Sequence, residues 1–287
     1  MTPPDPAAAL SRPVTRLRGG RFQALPDTLV AEEPLEVRVG DEQFTVTMRT
    51  PGADFDLVRG LLLTEGLIAA NTDIGRLRYC DTGEPGISDS NIVNVSLARA
   101  PLSTRRWQRT LLASASCGLC GQAAIDALRL EVAPVPDTRA LPADVLLSLP
   151  ALLRKHQPLF TQTGGLHAVG LFSAEGECLC VFEDIGRHNA TDKAIGFGVA
   201  QSWLPWANPN EPLILLVSGR ASFEITQKAL VARIPLVCAV SAASTLAADL
   251  ADANNQTLIG FLRDANMTIY THPERIAGAA SPNAFAP

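Results

Sequence analysis

Hydrophobic and polar positions alternate over residues 35–48, on either side of Gly40-Asp41, which predicts a β-hairpin. The spacing changes after Pro51-Gly52-Ala53-Asp54. Phe55, Leu57, Val58, Leu61 and Leu62 form the apolar stripe of a helix ending near Glu65-Gly66. Residues 76–80 and 92–97 read as two further strands. Beyond 142 the pattern predicts a helix over 143–155, a loop over 157–165 and strands over 167–173 and 178–183. A helix over 189–199, a strand over 213–218 and a helix over 222–233 follow. A strand over 236–241, a helix over 245–254 and a strand over 258–262 complete the order. This α-β-β-α-β-α-β-α-β order implies a sheet with helices on both faces. Its strands are short continuous apolar runs such as LILLV and LVCAV, as a doubly covered sheet requires.

These patterns divide the chain of 287 residues. Residues 1–25, Pro-rich and then Arg-rich, are expected to be a flexible arm, and 26–110 a small α+β domain. Residues 111–140 hold a small-residue loop, a short helix over 122–130 and a Pro-rich linker. Residues 141–287 form the second domain. With 24 Lys+Arg against 29 Asp+Glu the net charge is −5, so no general basic field exists to hold nucleic acid or an anionic membrane. The N-terminus has no apolar core of a secretory signal, and no apolar run approaches the ~18–20 residues of a membrane span. A soluble, intracellular protein is expected, in which the six cysteines are reduced and form no disulfide framework.

Cys178, Cys180 and Cys238 lie in strand-like apolar settings and read as small buried hydrophobes, with Cys178 and Cys180 facing one way. Cys117-Gly118-Leu119-Cys120 differs. It sits where a Ser/Ala/Gly loop enters a helix, and the N–H groups of a helix start favour thiolate over thiol. A dithiol redox pair, half of a zinc site and a sulfur-carrying nucleophile all fit. No second Cys-x-x-Cys or spaced His pair completes a zinc site, so no metal is expected.

Four more segments gather polar side chains at strand–helix junctions, where open α/β sheets bind ligands. Thr163-Gly164-Gly165-Leu166-His167 precedes a strand; on its own it reads most simply as a histidine satisfied at a strand start. The segment EDIGRHN packs Glu183, Asp184, Arg187, His188 and Asn189 into one turn, either as a ligand site or as a helix-capping cluster. The segment SGRASFE offers Arg220 and free N–H groups to a phosphate, or else an N-cap at Ser222. Phe261, Leu262, Arg263, Asp264, Ala265 and Asn266 follow the last strand. His156 reads as a solvated helix end, and the segment 270–275 as a surface terminator.

The segments SASCGLCG, FTQTGGLHAVGLF, EDIGRHNATDKAIG, SGRASFEITQKAL, AVSAASTLAADLA and GFLRDANMTIYTHPERI, in that order, resemble the formate dehydrogenase accessory sulfurtransferase family over about residues 30–276. The resemblance implies a cytoplasmic homodimer whose C-terminal domain, 141–287, has a cytidine-deaminase-like, three-layer α/β fold. It also implies a sulfur carrier. Persulfide sulfur from a cysteine desulfurase is held on Cys117, with Cys120 as partner thiol. It is then passed to the bis(molybdopterin guanine dinucleotide) molybdenum cofactor before that cofactor enters formate dehydrogenase. By the same resemblance residues 261–266 match the cofactor-binding stretch, with Ala265-Asn266 standing where relatives often carry Gly-Arg, and a guanine nucleotide such as GDP is the expected mimic. Arg187, His188 and Arg220, with Arg263, are expected to converge on the anionic cofactor. A binding chaperone with a dispensable Cys-x-x-Cys is the rival role, and a dithiol reductase a third. Zinc-dependent deamination needs H-x-E and P-C-x-x-C, and the corresponding turns, GRHNATD and SGRASFE, contain no cysteine.

Overall fold

A computed structural model describes residues 5–80, 89–102 and 132–279. Cys117 and Cys120 lie outside the described residues, as does most of the 111–140 segment.

The described part of the expected arm is a hairpin. Strands β1 (Ala9–Arg18) and β2 (Arg21–Val30) pair antiparallel through Gly19-Gly20, both at positive φ, the geometry of a tight primed turn. Pro13 and Pro26 face each other across the ladder. A two-stranded ribbon is all edge, so proline can sit there with its missing N–H turned outward. The glycine pair was the legible signal; the prolines and arginines masked it.

The first domain is a four-stranded sheet in the order β4-β3-β6-β5, made of β3 (Glu33–Val39), β4 (Glu42–Arg49), β5 (Ile74–Tyr79) and β6 (Ile92–Leu97). The hairpin at Gly40-Asp41 forms as the alternation requires. Helix α1 (Asp54–Thr64) buries Leu57, Val58, Leu62 and Leu63 against that sheet and the second domain. Its start is tied to β4 by Arg49, which is 1% exposed and meets both oxygens of Asp54 at 3.0 and 2.9 Å.

The second domain is a six-stranded sheet in the order β12-β11-β10-β9-β7-β8. Its strands are β7 (His167–Phe172), β8 (Cys178–Asp184), β9 (Ile214–Val217), β10 (Leu236–Ala239), β11 (Thr257–Arg263) and β12 (Asn266–Thr271). Helix α2 (Ala143–Lys155) covers one face, packing Leu146, Leu149 and Leu153 on Ile214, Leu216, Leu236 and Cys238. Three helices cover the other: α4 (Arg187–Ala200), α5 (Phe223–Val231) and α6 (Thr245–Ala253). The neighbours Leu215, Val217, Val237 and Ala239 point to that side, which explains why both strands are apolar throughout. The expected loop 157–165 contains a short helix α3 (Pro158–Thr163), opened by Pro158. Of the expected terminator over 270–275, Tyr270 and Thr271 are the end of β12, and Pro273–Arg275 form a short 3-10 turn after it.

Cys180 and Cys238 are buried hydrophobes, and burial pushes both thiols up to about 12. The expectation that Cys178 and Cys180 face one way fails. Leu171 pairs with Cys180 and Phe172 with Cys178, so Leu179 is an extra residue, and this bulge sends the two cysteines to opposite faces.

The two domains share one core, which runs from Leu35 and Phe44 through α1 and α4 to Leu258. Helices α1 and α4 touch backbone to backbone at Gly60 and Gly196. Polar ties reinforce the seam. Asp184, wholly buried, accepts the Thr50 N–H at 3.1 Å and pairs with Lys193 at 2.7 Å, while Lys193 donates to the Thr50 carbonyl at 2.8 Å. Lys228 meets both oxygens of Asp192, and Thr64 donates to the same carboxylate at 2.8 Å.

Candidate functional site

Every strand–helix junction singled out in the sequence lies at one end of the six-stranded sheet. Strands β9, β10 and β11 run parallel, so their carboxyl ends, at Ser218-Gly219-Arg220, Ser241 and Phe261-Leu262-Arg263, sit side by side. Strands β7 and β8 bring the start of the one, His167, and the end of the other, Asp184, to the same end, where the two residues pair. Backbone bonds stitch the rim: Ser241 N donates to the Gly219 carbonyl, Ala221 N to Ala242, and Phe261 N to Ser241. Open α/β sheets bind ligands at such an end, because helix starts leave N–H groups unpaired beyond the strands.

The EDIGRHN cluster divides by role. Asp184 and Asn189 are structural: Asn189 donates to the Met48 carbonyl at 2.7 Å, and Asp184 accepts the Gly186 N–H at 2.8 Å. Glu183 accepts the N–H groups of Leu159 and Phe160 at the start of α3. Arg187 and His188 are half-exposed at the start of α4, whose N-cap, Gly186, supplies no side-chain cap. His188 Nε2 lies 3.3 Å from a Glu224 oxygen, and the Ser222 hydroxyl donates to that same oxygen at 3.1 Å. These hydrogen bonds, His188 first, hold the Glu224 carboxyl down to about 2. Ser222 is the N-cap of α5 but is turned to Glu224 rather than to the helix. Arg220, in the turn before it, is exposed.

His167 is the residue that the sequence undervalued. No hydrogen bond from the described residues reaches its ring, so none of them makes it the satisfied histidine expected at a strand start. Burial, then the charges of Arg187 and His188, lowers its pKa and favours the neutral imidazole. Gly219 lies against the ring, its added Cβ falling 3.5 Å from Nδ1. The Gly-Gly pair ahead of the strand was the available signal.

Residues 261–266 split in the same way. The Phe261 ring is 39% exposed and carries the Arg263 guanidinium 5.8 Å from its centroid, whereas Leu262 is buried and offers no side chain to a ligand. Asp264 and Ala265, both at positive φ, form the turn into β12, and Asn266 closes it by donating to the Asp264 carbonyl at 2.7 Å. Alanine pays a steric cost in this left-handed conformation that glycine escapes. Ala265→Gly is therefore expected to stabilise the chain by about 1 kcal/mol, read as a raised urea midpoint with an unchanged slope.

The expected convergence of arginines is partial. Arg220 follows β9 and Arg187 follows β8, one intervening strand apart, while Phe261 and Arg263 stand on β11. At about 4.8 Å per strand, the Arg187 and Phe261 ends are about 19 Å apart. The rim therefore suits an extended ligand contacted at two ends, rather than one phosphate gripped by three arginines. Among the described residues no group of three or more His, Cys, Asp or Glu is placed to hold a metal ion, and no helix is long and apolar enough to cross a membrane.

The fold and this rim define a three-layer α/β protein with its polar side chains gathered beyond the strand ends. The chain belongs to the FdhD/NarQ family, whose model matches residues 30–277. It is 47% identical over 272 residues to the sulfur carrier protein FdhD of Mycolicibacterium paratuberculosis, covering 92% of this chain and 97% of that one. It is 45% identical to the FdhD of Streptomyces coelicolor over 274 residues, covering 93% and 95%. It is 41% identical to that of Anaeromyxobacter dehalogenans strain 2CP-C over 278 residues, covering 94% and 95%. The fold matches a crystal structure from Desulfotalea psychrophila, described as a formate dehydrogenase accessory protein, with a TM-score of 0.71 and 22% identity over 94% of this chain and 99% of that one.

Proposed function

We propose that this protein is a sulfur carrier that takes persulfide sulfur from a cysteine desulfurase onto Cys117. It then delivers that sulfur to the bis(molybdopterin guanine dinucleotide) cofactor before the cofactor enters formate dehydrogenase. The observation that carries the reading is full-length similarity, at 41–47% identity, to relatives named sulfur carrier protein FdhD. Cys117-Gly-Leu-Cys120 supplies the sulfur chemistry. In the loading step the Cys117 thiolate attacks the terminal sulfur of the desulfurase persulfide. One S–S bond forms as the other breaks, the desulfurase cysteine leaves as thiolate, and the proton stays on the transferred sulfur.

The cofactor is cargo, and the rim of the second domain fits it. It is long and anionic, and the rim sets Arg187, His188 and Arg220 toward one end and an exposed aromatic ring beside Arg263 at the other. Phosphates suit the arginines and helix starts, and guanine suits the Phe261 face. A cytoplasmic homodimer is part of this reading.

Incubation with a desulfurase and cysteine is expected to add one sulfur, about 32 Da, to Cys117 by mass spectrometry. Cys117→Ala is expected to keep the circular dichroism spectrum and abolish maturation of formate dehydrogenase. Normal maturation with the alanine variant, and no added mass on the wild type, would assign the protein to cofactor binding alone.

A further inference from the structure

The hairpin β1–β2 projects a surface that no other described element covers. Leu17 and Phe22 pair directly across the ladder beside the turn and are 57% and 77% exposed. Arg18 and Arg21 pair on the opposite face of the tip and make no ion pair among the described residues. Like charges face to face weaken a ribbon, and a lone two-stranded ribbon is marginal in water. Only its root is packed, where Ala8, Ala9 and Val30 meet Leu159, Leu166 and Ile185. Residues 9–30 carry four arginines and one aspartate on a chain that is acidic as a whole.

The complementary chemistry lies at the far end of the second domain. A cleft of about 640 Å³ opens between the β7–β8 turn and the segment ahead of β9, lined by Trp203, Trp206, Glu175, Glu177 and Glu211 and, among the described residues, by no lysine or arginine. Trp203 is 36% exposed and braced edge-on by Phe197 at 5.7 Å. Arg139 pairs with Glu175 from outside the cleft, while Glu177 and Glu211 make no ion pair among the described residues. Trp206, 2% exposed, belongs to the core beneath, so the accessible aromatic surface is that of Trp203. An exposed indole with carboxylates around it suits guanidinium groups beside an apolar side chain.

We propose that the hairpin tip of one copy docks in the Trp203 cleft of a second copy, Leu17 and Phe22 on the Trp203 indole and Arg18 and Arg21 on Glu177 and Glu211. The tip does not occupy its own cleft. Its apolar residues Leu17 and Phe22 are exposed within their own chain. Exchange in both directions closes a two-fold dimer rather than an open chain. The inference rests on the homodimer of the proposed function and adds which surfaces meet; it does not depend on the sulfur chemistry at Cys117.

Charge reversal on each side tests it, read as mass by light scattering and sedimentation on the full chain. The wild type is expected at twice the chain mass. Arg18→Glu/Arg21→Glu and Glu177→Arg/Glu211→Arg are each expected to fall to monomer at concentrations where the wild type is dimeric. An equimolar mixture of the two is expected to restore the dimer, because each reversed tip then meets a reversed cleft. Phe22→Asp, at a position 77% exposed, is expected to give a monomer with an unchanged circular dichroism spectrum. A monomeric wild type, a dimer that survives either reversal, or a mixture that stays monomeric would each overturn the proposal, whatever the sulfur-loading assay shows.

Discussion

Gly196→Ala is expected to destabilise the protein by about 3 kcal/mol, although alanine is the better helix former. A Cβ built at Gly196 falls 1.8 Å from the Asp56 carbonyl oxygen and 2.6 Å from the Gly60 amide nitrogen; one at Gly60 falls 1.9 Å from the Asp192 carbonyl oxygen. Both collisions are with backbone, which has no rotamer to change. The methyl can be housed only by prising α1 from α4, and that seam carries Leu57, Val58 and Ile195 of the shared core. Helix propensity alone predicts a gain of about 1 kcal/mol from the same substitution, so the two effects differ in sign. Urea unfolding with circular dichroism reads it directly. A variant more stable than the wild type would mean that the two helices do not approach as described.

Asp184→Ala is expected to cost about 3–5 kcal/mol, because it leaves a buried ammonium without its counter-charge. Lys193 is 2% exposed, and its remaining described acceptor is the Thr50 carbonyl. The amides of Thr50 and Gly186 and the Asn189 side chain lose an acceptor at the same time. Replacing both charges, as Asp184→Leu with Lys193→Met, is expected to cost markedly less than the sum of the single changes, since no orphan charge remains. A double-mutant cycle in guanidinium chloride gives the coupling. Additive single effects would show that Asp184 and Lys193 do not pair in the folded protein.

Most of the second domain was legible in its sequence. The runs over β9 and β10 are apolar at every position because helices cover both faces, and each is punctuated by a polar turn that opens the next helix. Those turns were also the functional signal, since local chemistry is visible wherever the chain changes direction. The hairpin β1–β2 was not legible as a strand pair, because proline is excluded from central strands and allowed in a ribbon that is all edge. Glu183, Asp184 and Asn189 looked much like Arg187 and His188 in the same turn. Three of them satisfy backbone and side-chain groups elsewhere in the fold, Thr50, Met48 and Phe160 among them, and two are left to face the rim.

The amino-acid order by itself determined the elements, their succession and the end of the sheet where the chemistry gathers, because periodicity and turn preference act over a few residues. Only the tertiary structure decided which charges are latches and which face the rim, that no described group bonds the His167 ring, and that glycine alone fits where α1 crosses α4. The decisive contacts join residues distant in the chain, Asp184 with Thr50 and Gly196 with Asp56 among them, and burial, which sets the cost of a charge or a methyl, belongs to the packed assembly and not to any local stretch.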